Sequence, residues 1–172
     1  MKKIILIGPG GSGKSTLAKI IGKYRNLPVI HLDALYWKEG WVKTADEDWS
    51  LIVQDLLSKD SWVMDGNFGG TLDLRLAAAD TVIFFDLSPV VCIWRVIKRR
   101  MKFHNKSRPD MNEGCVEQID FEFLNWILTY RVTRRPGIMK KLNAVKADKN
   151  IVVFKSLASV KKFELELYEA QR

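Results

Sequence analysis

Apolar residues run unbroken from Ile4 to Ile7 and give way at once to glycines, the pattern of a short strand covered on both faces. From Lys14 the spacing changes, and Leu17, Ile20 and Ile21 recur at helical intervals. Leu27 to Leu32 predicts a second short strand. Thr44 followed by Glu47 has the pattern of a capping box, and Trp49, Ile52, Val53, Leu56 and Leu57 then line one face of a helix. Ser61 to Met64 predicts a third strand leading into Asp65-Gly66, and Thr81 to Phe85 a fourth that ends at Asp86. Ser88 before Pro89 marks a helix start, with serine as N-cap and proline at the first helical position. Ile151 to Phe154 predicts the fifth strand, and a closing helix covers about Leu157 to Glu169.

Strands alternating with helices predict an α/β fold, a parallel sheet with helices on both faces. Between Phe103 and Gly137 the alternation stops. That stretch is polar from His104 to Gly114 and helical around Cys115 to Tyr130. It is expected to be an insertion over the carboxyl edge of the sheet, the usual place for a mobile lid. The chain therefore reads as one domain, residues 1–172, with a lid at about 103–137.

The glycines after the first strand stand in a specific order. Gly8-Pro9-Gly10-Gly11-Ser12-Gly13-Lys14-Ser15-Thr16 fits G-x-x-x-x-G-K-[ST], between a strand and a helix as a phosphate-binding loop requires. Backbone N–H groups along Gly8, Gly10, Gly11, Ser12 and Gly13 are expected to converge on phosphate oxygens, backed by the positive end of the following helix. Lys14 would reach the outer phosphates, and Ser15, ahead of Thr16, would offer a hydroxyl to Mg²⁺. The cofactors implied are ATP and Mg²⁺, but the loop does not name a reaction.

Composition narrows the setting. The 172 residues carry 28 Lys+Arg against 20 Asp+Glu, a net charge of +8, so anionic partners are favoured. The excess gathers in two groups, Arg95 to Arg108 and Arg131 to Lys141. Each is either a solvated basic face or a phosphate clamp; Arg95 and Arg99, one turn apart on one helix, argue for the clamp. Cys92 and Cys115 are too few for a disulfide framework or a four-ligand zinc site, which suggests a reducing, cytoplasmic setting. The first residues leave no room for the apolar core of a signal peptide, and no apolar run approaches the ~20 residues of a membrane span. A nucleic-acid partner is compatible with the charge, yet no helix-turn-helix, zinc-finger or RNA-binding signature is present.

Three later stretches, Trp62 to Phe68, Asp80 to Leu87 and Trp94 to Arg100, resemble adenylate kinase and its relatives. Gly8 to Thr16, His31 to Trp37, Asp65 to Phe68 and Thr71 to Leu76 are most similar, within that group, to the bacterial DNA topology modulation proteins. The resemblance implies the P-loop NTPase fold, three layers (α/β/α) around a five-stranded parallel sheet ordered 2-3-1-4-5, with a helical lid. It also implies roles. Asp65 would lie beside the magnesium with Ser15, Arg95 against the adenine and Arg99 near the phosphates. Arg131, Arg134 and Arg135 would be lid arginines that close on the transferring phosphoryl group. In small-molecule kinases of this fold, an aspartate after the second strand commonly holds or deprotonates the acceptor hydroxyl, a role that would fall to Asp33. Adenylate kinases carry an acceptor-gripping arginine where this chain has Gly69 and Gly70; Arg75 is the candidate replacement, with Asn67 also on the acceptor side.

The residues themselves leave alternatives. Asp33 follows the second strand and should face the crevice of the phosphate loop, or else it caps a helix. Tyr36, Trp37 and Trp41 either stack on a planar acceptor or anchor an acceptor-side helix to the core. Asp86 is a second carboxylate of the site or a polar strand end, His31 a strand residue with an ordinary hydrogen bond, and Cys92 a core residue. Neither Asp65 nor Asp86 is followed by a glutamate that would activate water, so transfer to a bound small-molecule acceptor is expected over hydrolysis. The leading expectation is an ATP- and Mg²⁺-dependent kinase for a nucleotide, nucleoside or other small metabolite. A nucleic-acid-associated ATPase and a nucleotide-dependent switch are the alternatives.

Overall fold

The computed structural model describes residues 1–169. Its elements are β1 (Lys3–Ile7), α1 (Lys14–Arg25), β2 (Val29–His31), α2 (Leu32–Tyr36), β3 (Trp37–Lys38), β4 (Val42–Lys43), α3 (Asp46–Ser58), β5 (Trp62–Asp65), α4 (Leu72–Ala78), β6 (Thr81–Phe85), α5 (Pro89–Lys102), α6 (Phe121–Thr133), α7 (Arg135–Ala144), β7 (Asn150–Phe154) and α8 (Leu157–Glu169). Five strands form one parallel sheet in the order β2-β5-β1-β6-β7. Counting the strands of this sheet alone, that order is 2-3-1-4-5. The short β3 and β4 pair separately as an antiparallel ribbon.

β1 takes the central position because both of its faces are apolar. Ile5 and Ile7 join Met64, Val82 and Phe84 beneath α3, α4 and α7, while Ile4 and Leu6 join Val63, Ile83 and Phe85 beneath α1, α5 and α8. Ile4, Ile5 and Leu6 have no exposed surface, and burying such a side chain contributes roughly 1.5–3 kcal/mol. The parallel register sets His31 opposite Asp65 and Asp65 opposite Leu6, just before the phosphate loop. The polar residues at the strand ends therefore gather along one edge.

Several boundaries differ from the sequence pattern. Leu27 lies outside β2, its N–H bonding back to Gly22 O to close α1, and Leu32 begins α2 with its side chain fully buried. Thr44 forms no capping box: its hydroxyl donates to Tyr36 O at 2.8 Å, and α3 opens with Asp46, Glu47 and Asp48 against the helix dipole. Ser88 does sit at the N-cap of α5 before Pro89, without a side-chain bond. The largest difference lies between α5 and β7. Residues 115–120 are not helical; α6 starts at Phe121, where Asp120 accepts from Phe123 N at 2.6 Å, and residues 106–117 form an irregular strap with one bridge, Ser107 to Val116. Beyond it the helical part continues through Gly137 to the end of α7. Among the described residues, Cys92 and Cys115 are buried free thiols, and no helix is long and apolar enough to cross a membrane.

Candidate active site

The phosphate loop leaves β1 at Gly8 and enters α1 at Lys14. Close approach explains its glycines. Gly11 has φ +76°, a conformation that L side chains rarely adopt, and a Cβ on Gly10 would lie 2.5 Å from the Phe123 ring of α6. α6 therefore rests on the loop. The Ser12 hydroxyl is buried and finds no hydrogen-bond partner in the protein. Arg95 donates to Ser12 O at 3.3 Å and lies over Gly13. Thr16, in the first turn of α1, is exposed.

Behind the loop stands a chain of polar contacts. Ser15 Oγ donates to Asp65 Oδ2 at 2.7 Å, and His31 Nδ1 donates to Asp65 Oδ1 at 2.5 Å. Asp65 is 3% exposed, so these two donors and its place at the end of β5 fix its orientation. Lys14 is buried and donates to Pro9 O at 2.9 Å. Burial lowers its pKa, opposed first by Asp33 and then by Asp65. Asp33, in the first turn of α2, shows the converse: burial raises its carboxyl, and Lys14 is the foremost opposing charge. The second strand thus does bring Asp33 to the phosphate-loop lysine.

The strap adds residues that the sequence pattern did not single out. Burial works against the charge of Asp110, but Arg108, Ser15 and His31 together hold its carboxyl below the usual aspartate range. Arg108 bonds to Asp110 at 3.2 Å and pairs with Glu117 at 2.7 Å, and Arg99 donates to the other Glu117 oxygen at 2.7 Å. Glu117 is 2% exposed. Arg99 is therefore held at one end by a carboxylate, with burial lowering its pKa. A charge of this kind, read from sequence, looks like any other residue of a polar loop; its two arginine partners come from α5 and from the strap.

On the acceptor side the placements depart from expectation. Arg75 has no exposed surface. Its Nη1 donates to Gly66 O at 2.9 Å, and its Nη2 to Asn67 O at 3.2 Å and Phe68 O at 2.6 Å, so it braces the β5–α4 loop from inside instead of reaching into the crevice. Burial lowers its pKa to about 10. The Asn67 amide is taken by the first glycine of the phosphate loop: it accepts from Gly8 N at 2.9 Å, donates to Gly8 O, and meets the Tyr130 hydroxyl at 3.4 Å. Tyr36 packs against Trp49 and Phe68 as part of the core on that face. Trp37 and Trp41 meet edge to face, and both hold the strap: Trp41 Nε1 donates to Val116 O at 2.9 Å, and Trp37 O accepts from Asn112. Anchoring is what these contacts provide.

The three arginines of α6 and α7 separate. Arg135 Nε donates to both oxygens of Asp86 at 2.9 Å, and Arg131 Nε lies 3.7 Å from the same carboxylate. Asp86 is thus more than a polar strand end; it anchors both helices to the edge of the sheet. Arg134 points elsewhere, into an open groove along α6 beside Trp126 and Thr133, none of whose lining residues belongs to the phosphate loop. Among the described residues no group of three or more His, Cys, Asp or Glu is arranged as a metal cage.

No family model matches the sequence. No curated protein matches it either. Solved structures do resemble it. A gluconokinase from Sinorhizobium meliloti 1021 shares 18% identity over 99% of this chain and 98% of its own, with a TM-score of 0.52. Shikimate kinase from Acinetobacter baumannii, in complex with shikimate, shares 12% over 99% and 92%, with a TM-score of 0.61. Shikimate kinase from Bacteroides thetaiotaomicron shares 18% over 97% and 96%, with a TM-score of 0.53. The chain has the three-layer α/β/α fold of P-loop kinases.

Proposed function

We propose that the chain is an ATP- and Mg²⁺-dependent kinase that moves the γ-phosphoryl group of ATP to a hydroxyl of a small metabolite. The observation that carries this reading is one meeting of groups at the sheet edge: a G-x-x-x-x-G-K-S loop, a Ser15–Asp65 pair, and Asp33 in electrostatic reach of Lys14. The residues fit the cofactors. The buried Ser12 hydroxyl without a protein partner suits a loop built around phosphate, and Ser15 and Asp65 are hard oxygen donors of the kind Mg²⁺ takes beside phosphate oxygens and water. Bound together, ATP and Mg²⁺ supply the transferable group and neutralise its charge.

Each residue then has a task. Lys14 exchanges Pro9 O for the outer phosphates, Arg95 covers the base from above Gly13, and Arg99 adds positive charge while Glu117 sets its angle. Asp33 holds the acceptor hydroxyl and takes its proton as the new O–P bond forms and the bond to the bridging oxygen of ADP breaks. Its raised pKa makes it a better base than an ordinary aspartate. Residues 103–137 act as the closing segment. The strap within it is tied to the phosphate side through Arg99–Glu117 and to the acceptor side through Trp41–Val116, so its closure excludes water from both. Asp86 keeps Arg131 and Arg135 aligned at the rim, and Arg134 takes no part.

The neighbours are named as small-molecule kinases, and carrying that activity to this chain belongs to the proposal. The sequence resemblance to adenylate kinases agrees with this reading; the resemblance to DNA topology modulation proteins specifies no chemistry, and the solved structures described above do not include that group. Free thiols and use of ATP suit a cytoplasmic enzyme. The test is transfer of label from γ-³²P-ATP with Mg²⁺ to a small-molecule extract, run beside Lys14→Ala. Wild type is expected to label an organic product, and Lys14→Ala to lose about a thousandfold or more of that rate while melting as wild type does. Undiminished transfer by the variant would sink the reading.

A further inference from the structure

We propose that the outer face of α5 is a docking surface for an anionic lipid bilayer. This goes beyond the kinase reading and rests on residues that the phosphate and acceptor sides do not use.

A surface helix ordinarily turns its apolar stripe inward and its polar side to water. α5 has an apolar row on both sides. Cys92 and Val96 are buried against Gly11 of the phosphate loop. Opposite them Val90, Trp94, Ile97 and Met101 follow one another at steps of four, three and four residues, each between 46% and 75% exposed. At the rise of an α-helix this row is about 16 Å long. α6 repeats the arrangement: Phe123 and Ile127 rest against Gly10, while Phe121, Leu128 and Val132 stand exposed on the other side. Exposed apolar rows of this extent mark an interaction surface.

The charge around the row selects the partner. From Leu87 to Pro109 the chain has seven cations and no carboxylate. Arg95 bonds to Ser12 O, and Arg99 and Arg108 pair with Glu117. By helical spacing Lys98 and Lys102, both exposed, flank one side of the row and Arg100 the other; Lys106 is exposed beyond its end. Lys98 Nζ lies 3.8 Å from the centre of the Trp94 ring, so a cation sits on the apolar surface itself. A second copy docked row to row would bring two such helices together with no carboxylate on either to offset them. A nucleic acid would answer the lysines and leave the apolar row in water. An anionic bilayer answers both, since Trp94, Ile97 and Met101 sink below the headgroups while the longer lysines reach up to them.

The full chain is sedimented at low salt with vesicles of phosphatidylcholine alone and of phosphatidylcholine with about one-third phosphatidylserine. Wild type is expected to bind the mixed vesicles at least about tenfold more tightly, because each lysine near an anionic surface contributes about fivefold. Trp94→Ser combined with Met101→Ser is expected to lose about tenfold or more of that binding while melting as wild type does. Leu51→Ser, a comparably exposed apolar position on α3, is expected to lose none. Undiminished binding by the double variant would assign the attraction to net charge alone and overturn the proposal. Equal binding to both vesicles, or an equal loss in Leu51→Ser, overturns it too. No binding of wild type to the mixed vesicles also overturns it, and self-association abolished in the double variant would then give the face to a second copy. Phosphoryl transfer is not the readout, so each outcome leaves the kinase reading where it stands.

Discussion

The phosphate side and the acceptor side of the crevice rise from the same sheet edge but are built by different means. On the phosphate side the chemistry resides in seven consecutive residues, Gly8 to Lys14, whose backbone geometry is dictated locally by glycines and by the start of α1. On the acceptor side it resides in where individual side chains are held. That is decided by partners far along the chain: Gly8 with Asn67, Trp41 with Val116, Arg99 with Glu117. A backbone cradle can be recognised from spacing. A site whose side chains are held by distant partners can be recognised only once those partners have been traced.

The contrast is open to experiment. The largest effect is expected from Asp33→Asn, which removes the acceptor-side base and leaves the loop intact: nucleotide binding stays near wild type while turnover falls by about 10²–10⁴-fold. Because burial raises the Asp33 carboxyl, wild-type turnover is lost as pH falls through a value above the ordinary aspartate pKa of 3.8. Equilibrium titration with nucleotide and a pH–rate profile check both parts. A variant that loses ATP binding as well would erase the distinction between the two sides.

Arg75→Met comes next, and its effect belongs to stability. Three backbone carbonyls lose their donors, at a cost of about 3 kcal/mol. In a chain of this size that lowers the melting temperature by roughly 6–12 °C. Lysine at the same position recovers little, since one ammonium lacks the geometry of the fork. A variant that melts normally but needs far more acceptor would return Arg75 to the crevice and contradict its assignment as a brace.

His31→Ala probes the phosphate side from its second strand. With Nδ1 gone, Asp65 keeps only Ser15 as a fixed donor, and the apparent affinity for Mg²⁺ in the presence of nucleotide is expected to weaken by about tenfold. His31→Asn, which restores a donor near the Nδ1 position, should recover most of it; Mg²⁺ titrations of nucleotide binding provide the comparison. The smallest effect is expected from Trp41→Phe. It loses one partly exposed bond to Val116 O, worth about 1 kcal/mol or less, and melting should shift by a few degrees at most. A large loss of acceptor affinity in that variant would mean that Trp41 stacks on the acceptor instead of holding the strap.

Much of the fold was legible because buried parallel strands announce themselves. β1, β6 and β7 are near-continuous apolar runs bounded by glycine or polar residues, and β5 ends on Asp65. The phosphate loop and the approach of Asp33 to Lys14 were legible as well, since a residue just after a parallel strand must lie at its carboxyl edge. The rest was hidden for physical reasons. Thr44 satisfies a capping pattern, yet its hydroxyl found a nearer acceptor in Tyr36 O. Arg75 reads as a surface cation on a helix because nothing local shows that three carbonyls turn toward it. Glu117 and Asp110 read as ordinary loop residues because their partners lie on α5, on α1 and within an irregular strap that has no period to follow.

The most direct measurement follows ³¹P resonances while the wild-type protein turns over Mg²⁺-ATP in the presence of its acceptor fraction. On the kinase reading, a phosphomonoester resonance of an organic product grows one for one with ADP, with little inorganic phosphate. Inorganic phosphate as the sole product, accumulating at the same rate with and without the acceptor fraction, would contradict it.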